Sequence, residues 1–268
     1  MSSQADFCQV VTFATDPLHG NPAFVVRDAH DASDRALATA CAILRADVLA
    51  VVGEPSGGVT PLRFFTVNGP HAGAGHATLA AAHTVLRDAA AASGSVTFHL
   101  ANGDSRAAHV EGDRICVDFP TMPARRVDRA VDMEAALGER PIETWLAPFG
   151  YVAIYDDPAL IAALQPDLAR VAAIHRHAVI ATAPGDAGSD IVIRVFAPNV
   201  GLPEDPVCGT AHRIIVPYWA ERMGKRKLHS RQLSPRGGDL WCEDRGETVV
   251  IGGETGLVIN GTVRLPEE

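Results

Sequence analysis

The sequence has no apolar run approaching the roughly 18 to 20 residues that a membrane-crossing helix needs, so no membrane partner is expected. It also has no dense block of Lys and Arg. These number 23 against 32 Asp and Glu, a formal charge of −9, and neither a nucleic-acid groove nor an anionic lipid surface fits that balance. A small acidic substrate stays compatible with it, because a site can be locally positive. The five cysteines, Cys8, Cys41, Cys116, Cys208 and Cys242, are odd in number and never spaced C-x-x-C. That excludes a disulfide framework and a structural zinc site of the usual spacing. The opening residues Met1 to Asp6 lack the basic-then-apolar pattern of a secretory leader, and a cytoplasmic location is expected.

What is present is a chain of 268 residues, 47% hydrophobic, long enough for one large core or two smaller ones, with two domains favoured. Strands are expected near Cys8 to Ala14 and Ala23 to Arg27, on either side of a Gly20-Asn21-Pro22 turn. An amphipathic helix follows from Asp34 to Leu44, then strands from Val48 to Val52 and Leu62 to Val67. A helix from about Ala77 to Ala92, apolar nearly all round, should be buried on all sides. Strands at Ser95 to Leu100, Ala107 to Val110 and Arg114 to Phe119 lead to the proline-marked linker Pro120 to Arg126. The second half has a helix near Met133 to Leu137 and strands near Tyr151 to Tyr155, Ala178 to Ala183, Ile191 to Phe196, Asp239 to Cys242 and Thr248 to Ile251. A last strand, Gly256 to Arg264, returns to the first half. The expected domains are 1–122 with 255–268, and 123–254.

The stretch from Glu204 to His212 places a carboxylate, a thiol, a hydroxyl and a glycine within nine residues, between a strand and a helix that runs to about Met223. A helix start offers free N–H groups and the positive end of the dipole, which favours an anion and is expected to lower the pKa of the Cys208 thiol. The first half contains the same order. Leu62 to Gly69 followed by Ala74-Gly75-His76-Ala77-Thr78 runs parallel to Ile193 to Asn199 followed by Cys208-Gly209-Thr210-Ala211-His212. Each is strand, Gly-rich loop, buried helix. A duplicated domain with two helix starts pointing at one carboxylated ligand is therefore expected. Gly73-Ala74-Gly75-His76 imitates half of a dinucleotide fingerprint but lacks the third glycine and the acidic residue about 20 positions on. His71, His76 and His83 have no acidic residue at ligand spacing, so no metal is assigned. His83 and His212, on apolar faces, read as core or rim residues.

Three of these motifs carry a resemblance. Gly20-Asn21-Pro22, Gly75-His76-Ala77-Thr78 after Phe64-Phe65-Thr66, and Glu204-Asp205-Pro206-x-x-Gly209-Thr210-Ala211 before Pro217-Tyr218-Trp219 resemble the signatures of PhzF-like phenazine-biosynthesis proteins, in the same order and at similar spacing. The resemblance implies an α+β, diaminopimelate epimerase-like fold: two similar domains, each a curled mixed sheet around a central helix. It also implies a homodimer without cofactor and a site for a small carboxylate substrate. Its direct matches are Gly75, His76, Asp205 and Thr210. The family's acid/base glutamate falls on Ala46, with Asp47 as a carboxylate one residue on. Racemases and epimerases of this fold keep a cysteine at each helix start, and here those positions are Cys208 and Ala74. The expected catalytic set is Cys208, His76, Asp205 and Asp47, and the expected substrate-binding set is Asn21, Ala74, Gly75, Gly209 and Thr210. The expected activity is a cofactor-independent isomerase making a 1,3-proton shift, with Cys208 as base, on a small unsaturated or amino carboxylate in secondary-metabolite biosynthesis. An epimerase, racemase or lyase using the same carbanion, and a catalytically silent binding or assembly protein, are the alternatives.

Overall fold

The first hairpin is set by one glycine. β1 (Gln4–Thr12) and β2 (Asn21–Arg27) are antiparallel, with Thr12 opposite Asn21. The turn between them places Gly20 at φ +68°, where a Cβ would lie 2.3 Å from the Thr12 carbonyl oxygen, so no other residue fits. The protein is described here by a computed structural model covering residues 4–27, 29, 32–87, 94–128 and 132–265. It comprises two units, Met1–Asp118 with Gly252–Glu268, and Phe119–Ile251.

In the first unit, α1 (Asp34–Leu44) starts at Ser33, whose hydroxyl accepts the Ala36 N–H, and stops at Arg45 in the left-handed region. It buries Ala36, Leu37, Ala40 and Cys41. Then follow β3 (Leu49–Val52), β4 (Thr60–Thr66), the short β5 (Gly69–His71), α2 (Gly75–Leu86), β6 (Ser95–Leu100), β7 (Ser105–Glu111) and β8 (Arg114–Pro120). The order β1-β2-β3-β4-β6-β7-β8 is completed by the C-terminal strand β16 (Thr248–Arg264), which pairs with both β8 and β1. Eight strands thus close into a barrel. α2 packs against β1, β2, β3, β6 and β7. Its Ala77, Thr78, Leu79, Ala80, Ala81, Ala82 and Leu86 are buried, the all-round burial expected of so apolar a helix. The end of the helix anticipated beyond residue 87, at 88–92, lies outside the described residues.

The second unit contains β9 (Arg125–Arg126), α3 (Met133–Leu137), β10 (Glu143–Leu146), β11 (Gly150–Ile154), α4 (Pro158–Ala163), α5 (Leu168–Ala173), β12 (Ala178–Pro184), β13 (Ile191–Phe196), α6 (Gly209–Met223), β14 (Lys227–Gln232) and β15 (Gly238–Asp244). Its sheet runs β9-β10-β11-β12-β13-β14-β15 and then to the first residues of β16. Its core gathers Met133, Leu137, Tyr151, Tyr155, Ile161, Val171, Val179 and Phe196. Pro217 sits inside α6. Its missing N–H leaves the Arg213 carbonyl without a helical partner, and the Met122 N–H takes that place at 3.0 Å. Trp219 is anchored in turn, its indole N–H donating to Thr182 Oγ1 at 3.1 Å. Among the described residues no helix is long and apolar enough to cross a membrane.

Three sequence expectations need adjustment. The supposed linker contributes β9, which pairs with β10. The strands expected at Thr248 to Ile251 and Gly256 to Arg264 are one continuous strand. β5, β10, β14, α4 and α5 were not anticipated.

Candidate active site

The segment between β13 and α6 is pinned at four points. Arg194 makes a two-pronged pair with Glu204, Nε to Oε1 at 2.8 Å and Nη2 to Oε2 at 2.9 Å, both side chains largely buried. Gln232, fully buried on β14, donates from Nε2 to the Asp205 carbonyl at 2.6 Å and accepts the Cys208 N–H on Oε1 at 2.8 Å. The Ser234 hydroxyl donates to the Pro206 carbonyl at 2.5 Å. The Asp205 carboxylate accepts the Val207 N–H at 3.1 Å, a turn that carries the chain into the helix. This framework brings Asp205, Cys208, Gly209 and Thr210 together at the start of α6. Cys208 is the N-cap and is buried at 5% exposure.

The electrostatics of that thiol correct the sequence expectation. Burial pushes the Cys208 pKa well up, the Asp205 carboxylate beside it pushes the same way, and the amides of Ala211 and Thr210 pull down too little to offset them. Desolvation and a neighbouring carboxylate therefore outweigh the helix start. Both causes favour the protonated thiol over a thiolate. Behind it, His212 is fully buried, with Nδ1 2.8 Å from the Cys208 carbonyl and Nε2 2.8 Å from Ser230 Oγ. A carbonyl only accepts, so Nδ1 carries the proton and Nε2 accepts from the serine. Burial holds this imidazole neutral, its pKa at about 4. His212 is a core residue that fixes the Cys208 carbonyl.

In the first unit, the corresponding group is at the start of α2. Ala74 is its N-cap with no side-chain bond, and its carbonyl accepts from Thr78 N and Oγ1 at 2.9 and 2.8 Å. Gly75 and His76 form the first turn, half-buried. Burial, helped by neighbouring His71, lowers the His76 pKa to about 4. The ring is neutral at working pH and can accept or donate one proton bond without bringing charge. Asn21 is buried at the start of β2, its carbonyl accepting from Thr12 Oγ1 at 3.0 Å. Asp47 is placed differently. It is exposed between α1 and β3, and its charge raises the Cys41 pKa, second to burial. Ala46, at the family's glutamate position, is buried with Leu37, Ala40 and Cys41. His83 lies at a rim, Nδ1 2.8 Å from Thr255 Oγ1.

Gln232, Ser230, Ser234 and Arg194 escape sequence reasoning as site residues. The available signal was the alternation Leu228, Ser230, Gln232, buried positions on a strand otherwise charged.

The fold defines a class. A hydroxyproline epimerase from Agrobacterium vitis, solved with bound trans-4-hydroxy-L-proline, shares the fold at a TM-score of 0.62 and 14% identity, over 100% of this chain and 95% of that one. The architecture is thus the α+β, epimerase-like fold. Within that class the particular family follows from sequence. The family model for phenazine biosynthesis-like proteins matches residues 10–261, and the chain belongs to that family. An uncharacterized isomerase of Pseudomonas aeruginosa is 37% identical over 263 residues, covering 98% of this chain and 99% of that protein. A second from the same organism is 38% identical over 258 residues, covering 96% and 98%. The crystal structure of a PhzF-family phenazine biosynthesis protein from Enterococcus faecalis superposes with a TM-score of 0.92 at 31% identity, covering 98% of this chain and 100% of that one. The chain stands with the isomerases of the family.

Proposed function

We propose that this protein is a cofactor-independent isomerase that moves a proton between two carbons of a small unsaturated or amino-substituted carboxylate, using Asp205 and Cys208 as a base and acid pair. The observation that carries this reading is a carboxylate, Asp205, set three residues before the buried thiol Cys208 that caps α6, where burial and that carboxylate both favour the protonated thiol. Base and acid are then both present in the resting protein, which a 1,3-shift requires. Asp205 removes a proton from the carbon next to the carboxylate or imine, and the electron pair delocalises along the conjugated system. Cys208 delivers its S–H proton to the far carbon, leaving a thiolate. The proton on Asp205 passes to that thiolate, and the pair is reset with no net proton gained or lost. Amides at the start of α6 stabilise the transient thiolate and a developing negative charge.

Within the second unit, Gly209 and Thr210 at the start of α6 are the proposed binding residues beside the pair; in the first unit, Asn21, Gly75 and the neutral imidazole of His76 are proposed as polar and backbone groups for a carboxylated ligand. Asp47 is assigned no step, since it is exposed between α1 and β3. Inversion of a single carbon by two thiols is disfavoured, because Ala74 carries no acid or base at the start of α2.

A set of β,γ-unsaturated and amino carboxylates incubated with the protein in D₂O tests the reading, followed by NMR and mass analysis. The expected product is an isomer of unchanged skeleton with deuterium at the newly protonated carbon. Label at one carbon with inversion and no double-bond movement would replace this reading with an epimerase, and loss of mass would replace it with a lyase.

A further inference from the structure

We propose that His109, Glu111 and Cys116, on the β7–β8 hairpin, form a binding site for one Zn²⁺ ion, an inference that does not depend on the functional reading above. The argument begins with strand geometry. Side chains two apart share a face, which puts His109 and Glu111 together. The antiparallel register sets Cys116 directly opposite His109. On the other face of the hairpin, Ala108, Ile115 and Val117 are buried in the core, so the backbone carrying the three donors is anchored.

One donor atom from each of the three lies within 4.8 Å of the other two, and the Cys116 thiol points at Glu111 Oε2 at 3.9 Å. Around a tetrahedral zinc with bonds of about 2.0 to 2.3 Å, ligand atoms stand roughly 3.3 to 3.8 Å apart. The sulfur-to-carboxylate spacing is within a few tenths of an ångström of that range, and the Glu111 side chain is exposed. A thiolate, an imidazole and a carboxylate make a donor set for zinc. Calcium and magnesium take oxygen ligands alone. Three protein ligands leave the fourth position to water.

Binding replaces the thiol proton. Cys116 S–H releases H⁺ to solvent as the sulfur–zinc bond forms, so affinity rises about tenfold per pH unit over the range in which the thiol of the metal-free protein is protonated. The spacing H-x-E-x₄-C is too sparse to stand out in the sequence, and it becomes a cluster only through the register of the hairpin.

The test uses the full-length chain stripped of metal by chelator. Zinc is titrated calorimetrically in two buffers of different ionisation enthalpy, and cobalt(II) is followed by absorption. The expected result is one-to-one binding in the micromolar range or tighter, about one proton released, and a thiolate-to-cobalt charge-transfer band. C116S should abolish that band and weaken zinc about 100-fold, and H109N should weaken it similarly. E111Q changes only an exposed position, so it keeps the fold, and it should weaken zinc about tenfold. Absence of stoichiometric zinc binding would overturn the proposal. So would wild-type affinity in E111Q together with H109N, or a cobalt band that survives C116S.

Discussion

At Cys208 the proposed chemistry turns on the protonation state of one thiol. Burial and Asp205 both raise its pKa, so peptide-level alkylation of Cys208 should stay slow through neutral pH and rise only above the range of an ordinary thiol. Asp205→Asn removes one of the two causes and should move the midpoint down. An unchanged midpoint would mean the carboxylate does not act on the thiol. His212 gives a second residue-scale prediction. Its folded pKa, about 4, lies below the ordinary value of 6.5, so the unfolded chain binds the extra proton between those values. Stability from this group is present above pH 6.5 and is lost as pH falls toward 4. The loss between pH 7.5 and 5 is about 2 kcal/mol. Denaturant titrations of wild type and His212→Gln should show the gap between them narrowing by that amount at pH 5. His76, also depressed, contributes equally to both proteins and cancels.

At the scale of elements, the Glu204 clamp holds the loop that delivers Asp205 to Cys208. Glu204→Ala leaves Arg194 largely buried without its partner and should cost about 3 kcal/mol in chemical denaturation. The double variant Arg194→Met, Glu204→Leu should recover about half. Full recovery is prevented because Arg194 Nη1 also donates to the Leu164 carbonyl at 2.9 Å. Elements with a plain apolar period were legible in the sequence. α1, β6 and β13 fall on the anticipated residues, and α6 runs to Met223 through Pro217. β14 was not legible, because its buried positions include Ser230 and Gln232, polar groups satisfied by His212, Asp205 and Cys208. Hydropathy cannot register such burial. β16 was split at Gly252-Gly253 for a related reason. Glycine there reads as a break, but Gly253 permits close approach, since a Cβ would sit 2.6 Å from the Phe13 ring. Of the candidate site, the two helix starts that carry Ala74 to Thr78 and Cys208 to Thr210 were legible from the repeat. The direction of the Cys208 pKa was not, since it depends on how deeply the thiol is buried and which way Asp205 turns.

For the whole molecule, the long strand β16 is the piece on which the first unit closes. It pairs along Gln4 to Thr12 of β1 and also borders β8. A chain ending at Ile251 should therefore lose hydrogen-exchange protection across β1 and expose two sheet edges. Retained protection in β1 would show that the barrel does not need its last strand. The proposed mechanism has two separate proton transfers, and the position of the label distinguishes them. The most direct measurement follows deuterium at both carbons of a turned-over carboxylate in D₂O, comparing wild type, Asp205→Asn and Cys208→Ala. Wild type should give isomer with label at the far carbon. Asp205→Asn should give neither isomer nor exchange, and Cys208→Ala should retain exchange at the first carbon while forming no isomer. Isomer formation at the wild-type rate by Cys208→Ala would contradict the account.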